Sequence, residues 1–531
     1  MSNLSDQQKN VLRAVLDPLI ELIKICAISG SGKTHTLQAI ASLMKPTKGL
    51  YLAYNKAIAD ESQEKFNAET IKCSTIHSMA YSKTVAVYGF NVGGDITGRI
   101  FNQYRISFGK SISEKDALEK TRYFSEFLRL LDYARKDLMA NIIKKFFLSK
   151  YTKFTDYVSY ELSGILEPDE VKVCIFYIDM IKDKKIPCTH GFYLKLFHIL
   201  LSNNKIAIPE YDLLMLDEAG DVNPVSLEIF KLLKAKKKIM VGDNQQNIYS
   251  FNDTINGFEE LKDVGVMFDL TTSFRVTQAI AERVESFSKK YLNKDMEFNG
   301  RNYTIKDIPN EYNRTIAYIS RTNSLLVEKM IEYEDSHTPY NLTKTVESVF
   351  RLYRTLIFLK AGAIQRDPDL QYIQHDADEY NSSAQLQRDF KNMYAYLIHK
   401  NKDNVQLKSA MQVLAKYGKE KILSIYKLAK EHEQRSNTHR ITLTTAHSSK
   451  GLEFDVVHIM DDLNDVLDKI LKEYKVEQTM LYDKNIHPSF FLPNNKLEEF
   501  RLYYVAGTRG RHKLYNAKHF SDDYLLCEDF L

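Results

Sequence analysis

Two kinds of hydrophobic pattern alternate along this chain. Short apolar runs, each ending in a polar or glycine-rich segment, characterise residues 1–85, 206–262, 263–335 and 438–531. Residues 86–205 and 336–437 instead show the three-to-four-residue apolar spacing of helices, with many charged and aromatic positions. Strands of a parallel sheet are buried on both faces and read as continuous apolar runs. The pattern therefore predicts an α/β protein with two parallel-sheet domains, each interrupted by a mainly helical insert.

The predicted domain boundaries follow these changes of pattern. A chain of 531 residues exceeds what one hydrophobic core usually serves, so several domains are expected. We expect the first sheet domain at 1–85 and 206–262, around a helical insert at 86–205. We expect the second at 263–335 and 438–531, around an insert at 336–437.

A candidate phosphate-binding loop follows the first apolar run and precedes a helix predicted over Thr36–Met44. Its residues are Ser29, Gly30, Ser31, Gly32, Lys33 and Thr34. Two glycines allow backbone N–H groups to turn towards phosphate oxygens, Lys33 can reach the outer phosphates and the Thr34 hydroxyl can hold Mg²⁺. A chance glycine–serine turn is the alternative, and the strand and helix flanks disfavour it. Ala27 stands where the usual motif has its first glycine.

Two further apolar runs end in groups suited to phosphate chemistry. Tyr211–Leu216 leads into Asp217 and Glu218, which could respectively hold Mg²⁺ through water and deprotonate an attacking water. The next run, Lys238–Asp243, leads to Gln246, whose amide could sense a terminal phosphate. Tyr249 and Phe251 lie two positions apart and would point the same way in an extended segment, as a base-stacking pair would.

Other aromatic and basic positions leave alternatives open. Tyr54 and His77 follow predicted strands, where they could stack bases of a single strand, although either residue alone is more often a packing residue. The segment Lys144–Tyr157 interleaves basic and aromatic residues. This pattern is typical both of a surface that binds nucleic acid and of an amphipathic core helix with a solvated face. The sequence supports the two interpretations equally.

Composition narrows the class of protein. Hydrophobic residues make up 44% and charged residues 27%, and 73 Lys and Arg nearly balance 69 Asp and Glu. A nucleic-acid site must therefore be a local basic groove in a nearly neutral body. The five cysteines form no C-x-x-C pair, which predicts a reducing compartment and no zinc or iron–sulfur site.

Targeting signals are also missing from the sequence. We expect a cytoplasmic or nuclear protein without membrane association, because there is no apolar window of about 18 residues and no signal-like start. Abundant Lys, Asn, Ile and Tyr with no Trp are typical of an AT-rich genome, such as that of a virus or mobile element.

Taken together, the motifs resemble those of superfamily 1 DNA helicases of the UvrD/Rep type. The segments that carry the resemblance are TTAHSSKGLEF, DEAGD, VGDNQQNIYSF and YYVAGTRGR. The F-box DNA helicase branch is the one that two further segments, YLAYNKAIADE and CSTIHSMAY, most resemble in sequence. The resemblance covers both sheet-bearing halves in order and leaves out the two helical inserts.

This resemblance implies two RecA-like P-loop NTPase domains that bind ATP and Mg²⁺ in the cleft where they face each other. It assigns Lys33, Thr34, Asp217, Glu218 and Gln246 the roles given above. It further implies Gln8 at adenine, Phe274 stacked on adenine where tyrosine is more usual, Glu453 near the ribose, and Arg275 and Arg509 as arginine fingers. The implied DNA contacts are Tyr54, His77, Tyr249, Phe251, Arg321 and His447.

The expected function is an ATP-dependent DNA helicase or translocase moving 3′ to 5′, with single-stranded DNA and single-strand/duplex junctions as its substrates. We expect a monomer that works with a replication or recombination protein. The alternative is an ATP-driven factor that binds single strands, displaces proteins from them and unwinds weakly. Two departures from the family pattern are Ile28, where glycine or proline is common, and Gly220, where glutamine is usual.

Overall fold

A computed structural model describes residues 4–94, 96, 127–128, 130–131, 133–248, 254–303, 309–361, 370–401, 404–433, 439–476, 479 and 486–520. The chain divides into two compact units. The first extends to Leu270 and the second begins at Thr271, and Ser29–Ser31 group with the second unit. We describe each unit by itself.

The first unit is built on a six-stranded parallel sheet in the order β3-β2-β4-β5-β1-β6. Its elements are α1 Asp6–Val15, β1 Leu22–Ala27, α2 Lys33–Met44, β2 Gly49–Ala53, α3 Lys56–Lys65, β3 Ile71–Thr75, α4 Ile76–Lys83, α5 Val85–Tyr88, α6 Tyr133–Leu148, α7 Phe154–Glu161, α8 Pro168–Lys182, α9 His190–Ser202, β4 Tyr211–Leu216, α10 Pro224–Leu232, β5 Ala235–Gly242, α11 Gly257–Glu260 and β6 Val266–Leu270.

Burial explains why the strands of this sheet read as continuous apolar runs. Every residue of β2 is buried, and β4 is buried from Leu213 to Leu216. Helices cover both faces, so alternation of polar and apolar positions is absent from these central strands. Because all six strands are parallel, the residues that follow β1, β2, β4 and β5 meet at one edge of the sheet.

The helical insert of the first unit lies between α4 and β4, and its described helices include α6 to α9. Its structure decides between the two interpretations of Lys144–Tyr157. The rings of Phe146, Phe147, Phe154 and Tyr157 are buried in the core and pack on one another. These four aromatic residues therefore stabilise the insert and are not a surface for stacking bases, whereas Lys145 is exposed and Lys144 half-buried.

The second unit contains a five-stranded parallel sheet in the order β10-β11-β9-β12-β13 and a two-stranded sheet, β7-β8. Its elements are β7 Thr272–Thr277, α12 Gln278–Tyr291, β8 Asn299–Arg301, β9 Ile316–Ser320, α13 Asn323–Asp335, β10 Asn341–Leu342, α14 Val346–Lys360, α15 Gln371–Ser382, α16 Ala384–Asp389, α17 Met393–Lys400, α18 Val405–Glu433, β11 Ile441–Thr445, β12 Phe454–Ile459, α19 Asp461–Tyr474, α20 Asn494–Gly507 and β13 Gly510–Tyr515.

The second insert, α14 to α18, separates β10 from β11, and its buried residues, among them Phe350, Tyr353 and Leu407, share one apolar core with α13. Gly418 interrupts α18 with a φ of 76°, which divides it into two helices. The predicted fold class is thus confirmed, since both units carry parallel sheets interrupted by mainly helical segments. Within the described part of the chain, no helix is long and apolar enough to cross a membrane.

Two glycines of the first unit allow a matched test of close packing. Gly265 and Gly164 both have positive φ, at 71° and 78°, and alanine at either position therefore carries a similar backbone strain. A Cβ at Gly265 would lie 2.4 Å from the Leu22 carbonyl oxygen, whereas a Cβ at Gly164 would meet open space. We expect Gly265→Ala to lower the free energy of unfolding by about 1–3 kcal/mol more than Gly164→Ala, as measured by urea denaturation. Equal losses would contradict the packing at the start of β6.

Candidate functional site

The candidate phosphate loop has the backbone that the sequence predicts. It runs from the end of β1 at Ala27 to the start of α2 at Lys33. Gly30 and Gly32 have left-handed φ values of 77° and 79°, which side-chain-bearing residues rarely adopt. Gly32 is the N-cap of α2 and no side chain caps this helix, so its first N–H groups can serve an anion. Ile28 is buried, and its N–H donates to the Leu270 carbonyl over 3.1 Å.

Gln8 is held beside the start of α2. Its side chain is almost fully buried and completes a capping box with Ser5 at the start of α1. Its Nε2 donates to Thr36 Oγ1 over 2.9 Å, and the Thr36 hydroxyl donates to the Gly32 carbonyl over 3.0 Å. The structure therefore links Gln8 to the end of the phosphate loop through one hydroxyl group. Its predicted contact with adenine stays a prediction.

Asp217 is a half-buried carboxylate at the end of β4. Its Oδ2 accepts a short hydrogen bond from the Tyr51 hydroxyl on the neighbouring strand β2, and its Oδ1 accepts from the Glu218 N–H over 2.9 Å. Desolvation, together with the negative charge of Glu218, raises the pKa of Asp217, while the charge of Lys33 acts in the opposite direction. Each oxygen of the carboxylate therefore has a hydrogen-bond donor, and its predicted role in holding Mg²⁺ stays a prediction.

Glu218 adopts an unusual backbone conformation for a glutamate, with a φ of 51°. Such conformations cost about 1–3 kcal/mol and are often found at functional sites. The Gly220 that follows has no room for a side chain, because a Cβ there would lie 2.7 Å from the Asp243 carbonyl oxygen. A Cβ at Gly242 would lie 2.7 Å from the Gly220 nitrogen. The departure from the family's glutamine at position 220 thus follows from a backbone-to-backbone contact between the β4 and β5 ends.

Gln246 lies in the loop after β5 and is buried. Its Nε2 donates to Asp243 Oδ2 over 2.8 Å, and Asp243 Oδ1 accepts from the Gln245 N–H over 2.9 Å. Asp243 therefore fixes the orientation of the candidate sensor. Tyr249 and Phe251, the predicted stacking pair, lie outside the described residues.

In the second unit, two arginines converge on Ser29. Arg275 Nη1 donates to Ser29 Oγ over 2.9 Å, and Arg509 Nη2 donates to the same oxygen over 2.8 Å. The Arg509 side chain is 1% exposed and is also held by the carbonyls of Val505 (2.9 Å) and Leu452 (3.3 Å). The structure brings the two candidate arginine fingers to one residue.

Glu453 belongs to the same cluster in the second unit. It accepts from Arg275 Nε over 2.8 Å and forms a short ion pair with Arg511. Burial acts to raise the pKa of Glu453, but the hydrogen bond and charges from these arginines outweigh it, and the resulting pKa is lowered. Phe274, the candidate adenine-stacking residue, is 42% exposed, and its N–H donates to the Gly30 carbonyl over 2.8 Å.

The remaining candidate DNA contacts lie in different environments. Arg321 is largely buried, and its guanidinium pairs with Glu499 through two bonds of 2.7 and 2.8 Å. His447 is half-buried in the loop after β11. The roles of both residues stay predictions.

Tyr54 and His77 line one cavity of about 650 Å³ in the first unit, together with Asp217 and Glu218. Burial, and to a smaller extent the charge of His190, lowers the pKa of His77. The rings of His77 and His190 both contact the Tyr193 ring, with centroids 6.1 and 5.6 Å away, and His190 Nδ1 lies 2.9 Å from the Tyr193 hydroxyl. Tyr193 therefore joins the His77 end of the sheet to the insert.

Several residues of these clusters have no clear signal in the sequence. In the sequence, Tyr51 is one more residue of an apolar run that forms a buried strand. Its hydrogen bond to Asp217 depends on the pairing of β2 with β4. Arg511 lies two positions after Arg509 in YYVAGTRGR, and this proximity is the only sequence signal for its place in the cluster. Its partner Glu453 is 58 positions away in the sequence. Lys144 and His190 come from the insert, which the motifs do not cover.

Comparison with known proteins shows which helicases this chain is similar to. Residues 4–263 match the family model of the UvrD/REP helicase N-terminal domain. The chain is 23% identical over 534 aligned positions to F-box DNA helicase 1 of Gallus gallus, and 24% identical over 549 to F-box DNA helicase protein 1 of Schizosaccharomyces pombe. These alignments cover 96% of the chain but only 48% and 57% of the relatives, so the chain spans about half the length of the curated relatives it matches. The resemblance stated from the motifs is thereby confirmed: the first half of this chain is similar to the UvrD/REP helicase N-terminal domain, and nearly the whole chain is similar to parts of two F-box DNA helicases.

Proposed function

We propose that this chain is an ATP-dependent DNA helicase or translocase that moves 3′ to 5′ along single-stranded DNA. The observation that carries the proposal is the geometry of two clusters of candidate residues. In the first unit, the Asp217 carboxylate at the end of β4 is held by Tyr51 and by the Glu218 N–H, and in the second unit two arginines converge on Ser29. The family of residues 4–263 and the names of both relatives support DNA as the track. The proposed 3′ to 5′ direction of movement rests on the amino-acid sequence of the TTAHSSKGLEF segment.

The same proposal includes the four-part organisation read from the sequence. The two RecA-like domains consist of residues 1–85 with 206–262 and of residues 263–335 with 438–531. Residues 86–205 and 336–437 are their helical inserts. The order of parallel strands and helical segments supports this division. The boundary at 262/263 is the exception, because β6 pairs with β1 and belongs to the first unit.

Phosphate binding is assigned to the loop from Ser29 to Thr34. Its glycine backbone and the uncapped start of α2 offer N–H donors to phosphate oxygens, and Lys33 supplies a positive charge. Thr34 and Asp217 are the residues that would hold Mg²⁺. The donor set fits this ion, since both offer oxygen atoms and since a cation would relieve the cost of burying the Asp217 carboxylate. Bound Mg²⁺ would neutralise charge on the outer phosphate oxygens.

Hydrolysis is assigned to residues at the ends of β4 and β5. Glu218 orients the attacking water and accepts its proton, and Gln246, held by Asp243, hydrogen-bonds near the terminal phosphate. Arg275 and Arg509 neutralise the charge that develops on the transferred phosphoryl group. Gln8 and Phe274 contact the adenine, and Glu453 the ribose.

The DNA track is assigned to Tyr54, His77, Tyr249, Phe251, Arg321 and His447. Stacking on aromatic rings does not depend on base identity, because every base has a π face. This property suits a motor that must pass over any sequence.

The role of Glu218 can be tested with one isosteric substitution. Glu218→Gln keeps the size of the side chain and its hydrogen bonding but removes the base, so we expect ATP to bind and its turnover to stop. The measurements are binding of a fluorescent ATP analogue and steady-state phosphate release. Glu64→Gln, at an exposed glutamate of α3, is the control and should behave as wild type. Normal turnover by Glu218→Gln would contradict the assignment.

The Arg509 side chain should affect the rate of ATP turnover much more than the affinity for the nucleotide. We expect Arg509→Ala to lower kcat about a thousandfold with little change in nucleotide affinity, because the guanidinium stabilises charge that appears only in the transition state. Arg509 is buried, so Arg509→Lys is the companion variant that keeps the charge but not the guanidinium fork. Urea denaturation checks that both variants fold. Folded variants that lose affinity and keep kcat would rule out the finger role.

Direction and unwinding are tested on tailed duplexes. We expect ATP hydrolysis stimulated by single-stranded DNA, and strand displacement from duplexes with a 3′ tail and not from those with a 5′ tail. Removal of a bound protein from single-stranded DNA, measured in parallel, distinguishes a displacement factor from a helicase. Preference for the 5′ tail would reverse the proposed direction.

A further inference from the structure

The strand β7, which carries Phe274 and Arg275, does not pair regularly with β8. Four residues of β7, Ser273–Val276, lie between its two pairs with β8, whereas β8 has only Gly300 there. Such an irregularity leaves main-chain groups that the ladder cannot satisfy and that must find other partners. The positions of Phe274 and Arg275 therefore depend on those other partners more than on the sheet.

The N–H groups of this segment are bonded outside the ladder. The Phe274 N–H donates to the Gly30 carbonyl in the phosphate loop over 2.8 Å. The Ser273 side chain is fully buried, and its Oγ accepts from the N–H groups of Arg275 and Val276 over 3.3 and 3.4 Å. These bonds fold the segment around its own serine and attach it to the phosphate loop.

Two carbonyl groups of the same segment are bonded by a single tyrosine. The Tyr303 hydroxyl donates to the Arg275 carbonyl over 2.9 Å and to the Phe274 carbonyl over 3.2 Å, so that one proton is shared between two acceptors. The Tyr303 ring is held by two neighbours. The His512 ring makes an edge contact with it at a centroid distance of 4.7 Å, and the Arg301 guanidinium carbon lies 4.9 Å from its centroid. The hydroxyl therefore has a defined position.

We infer that the Tyr303 hydroxyl is a positioning group for Phe274 and Arg275, which holds their main chain so that both side chains reach the nucleotide in one arrangement. The inference rests on the proposed function for the roles of those two residues. Tyr303 follows β8 and lies in none of the motif segments that carry the family resemblance. Because a misplacement of about 1 Å can cost about 100-fold in rate, a hydroxyl that does not touch the nucleotide can still control its turnover.

The first test removes the hydroxyl and keeps the ring. Tyr303→Phe retains the contacts with His512 and Arg301 and loses only the bonds to the two carbonyl groups. The matched control is Tyr312→Phe, at a tyrosine of the same unit that is 86% exposed. Steady-state hydrolysis of ATP and of CTP is measured for wild type and both variants, and urea denaturation checks that the variants fold.

Two kinetic effects are expected of Tyr303→Phe and neither of Tyr312→Phe. We expect kcat for ATP to fall about tenfold, because Arg275 is misplaced in the transition state. We expect the ratio of kcat/KM for ATP to that for CTP to fall about fivefold, because Phe274 then stacks less well on the larger base. This ratio does not depend on the fraction of active protein, so partial unfolding cannot produce the second effect. Kinetics of Tyr303→Phe that equal those of Tyr312→Phe would overturn the inference.

Hydrogen exchange gives a measurement that needs no nucleotide. We expect the amides of residues 272–277 to exchange faster in Tyr303→Phe than in wild type or Tyr312→Phe, because the segment loses two main-chain bonds. Unchanged exchange would overturn the inference, and so would faster exchange with unaltered kinetics. A wild-type protein that hydrolyses no ATP would contradict the proposed function, and the exchange rates would still decide whether Tyr303 holds the segment.

Discussion

Partial burial of the Asp217 carboxylate is the constraint that shapes the candidate residues of the first unit. A carboxylate that loses most of its contact with water must be hydrogen-bonded or paired, or its charged form becomes too costly. Here the Tyr51 hydroxyl and the Glu218 N–H each donate to one of its oxygens, and the Lys33 charge partly offsets the desolvation. Tyr51 lies on β2, Glu218 follows Asp217 directly, and Lys33 begins α2. Asp217 therefore links a neighbouring strand to the candidate base.

The arginine cluster of the second unit obeys the same rule with the opposite charge. Arg509 is almost fully buried, and its donors are distributed over Ser29, Thr508 and two backbone carbonyls. Arg275 is held between Ser29 and Glu453. The pKa of Glu453 is lowered by the arginines around it, so it remains a carboxylate able to hold them. Both guanidinium groups are thus held in one orientation by their neighbours, which is what their proposed role in stabilising a transition state without reorganisation requires.

The sequence predicted the parts of the site that chemistry restricts to particular residue types. Glycines with left-handed φ at Gly30 and Gly32, and acids directly after a buried strand, follow from what phosphate and metal binding require. The bond between Tyr51 and Asp217 could not be predicted, because it depends on which strand pairs with β4. The strand β6 lies in the segment 263–335 that the pattern assigned to the second domain, and β10 lies in the segment 336–437 that it assigned to a helical insert. The cause is related, since pairing with β1 and with β11, and not the local pattern, makes these short segments strands. The aromatic residues of Lys144–Tyr157 became distinguishable from a binding surface only when their burial was known.

The contact between Gly220 and Gly242 has a mechanical consequence. Near this contact the main chains of the loop that carries Glu218 and of the loop that carries Gln246 approach each other directly. Movement of one loop towards the other is therefore opposed by main-chain atoms, which have no rotamer to change. The contact restricts how far the candidate base and the candidate phosphate sensor can move independently of each other.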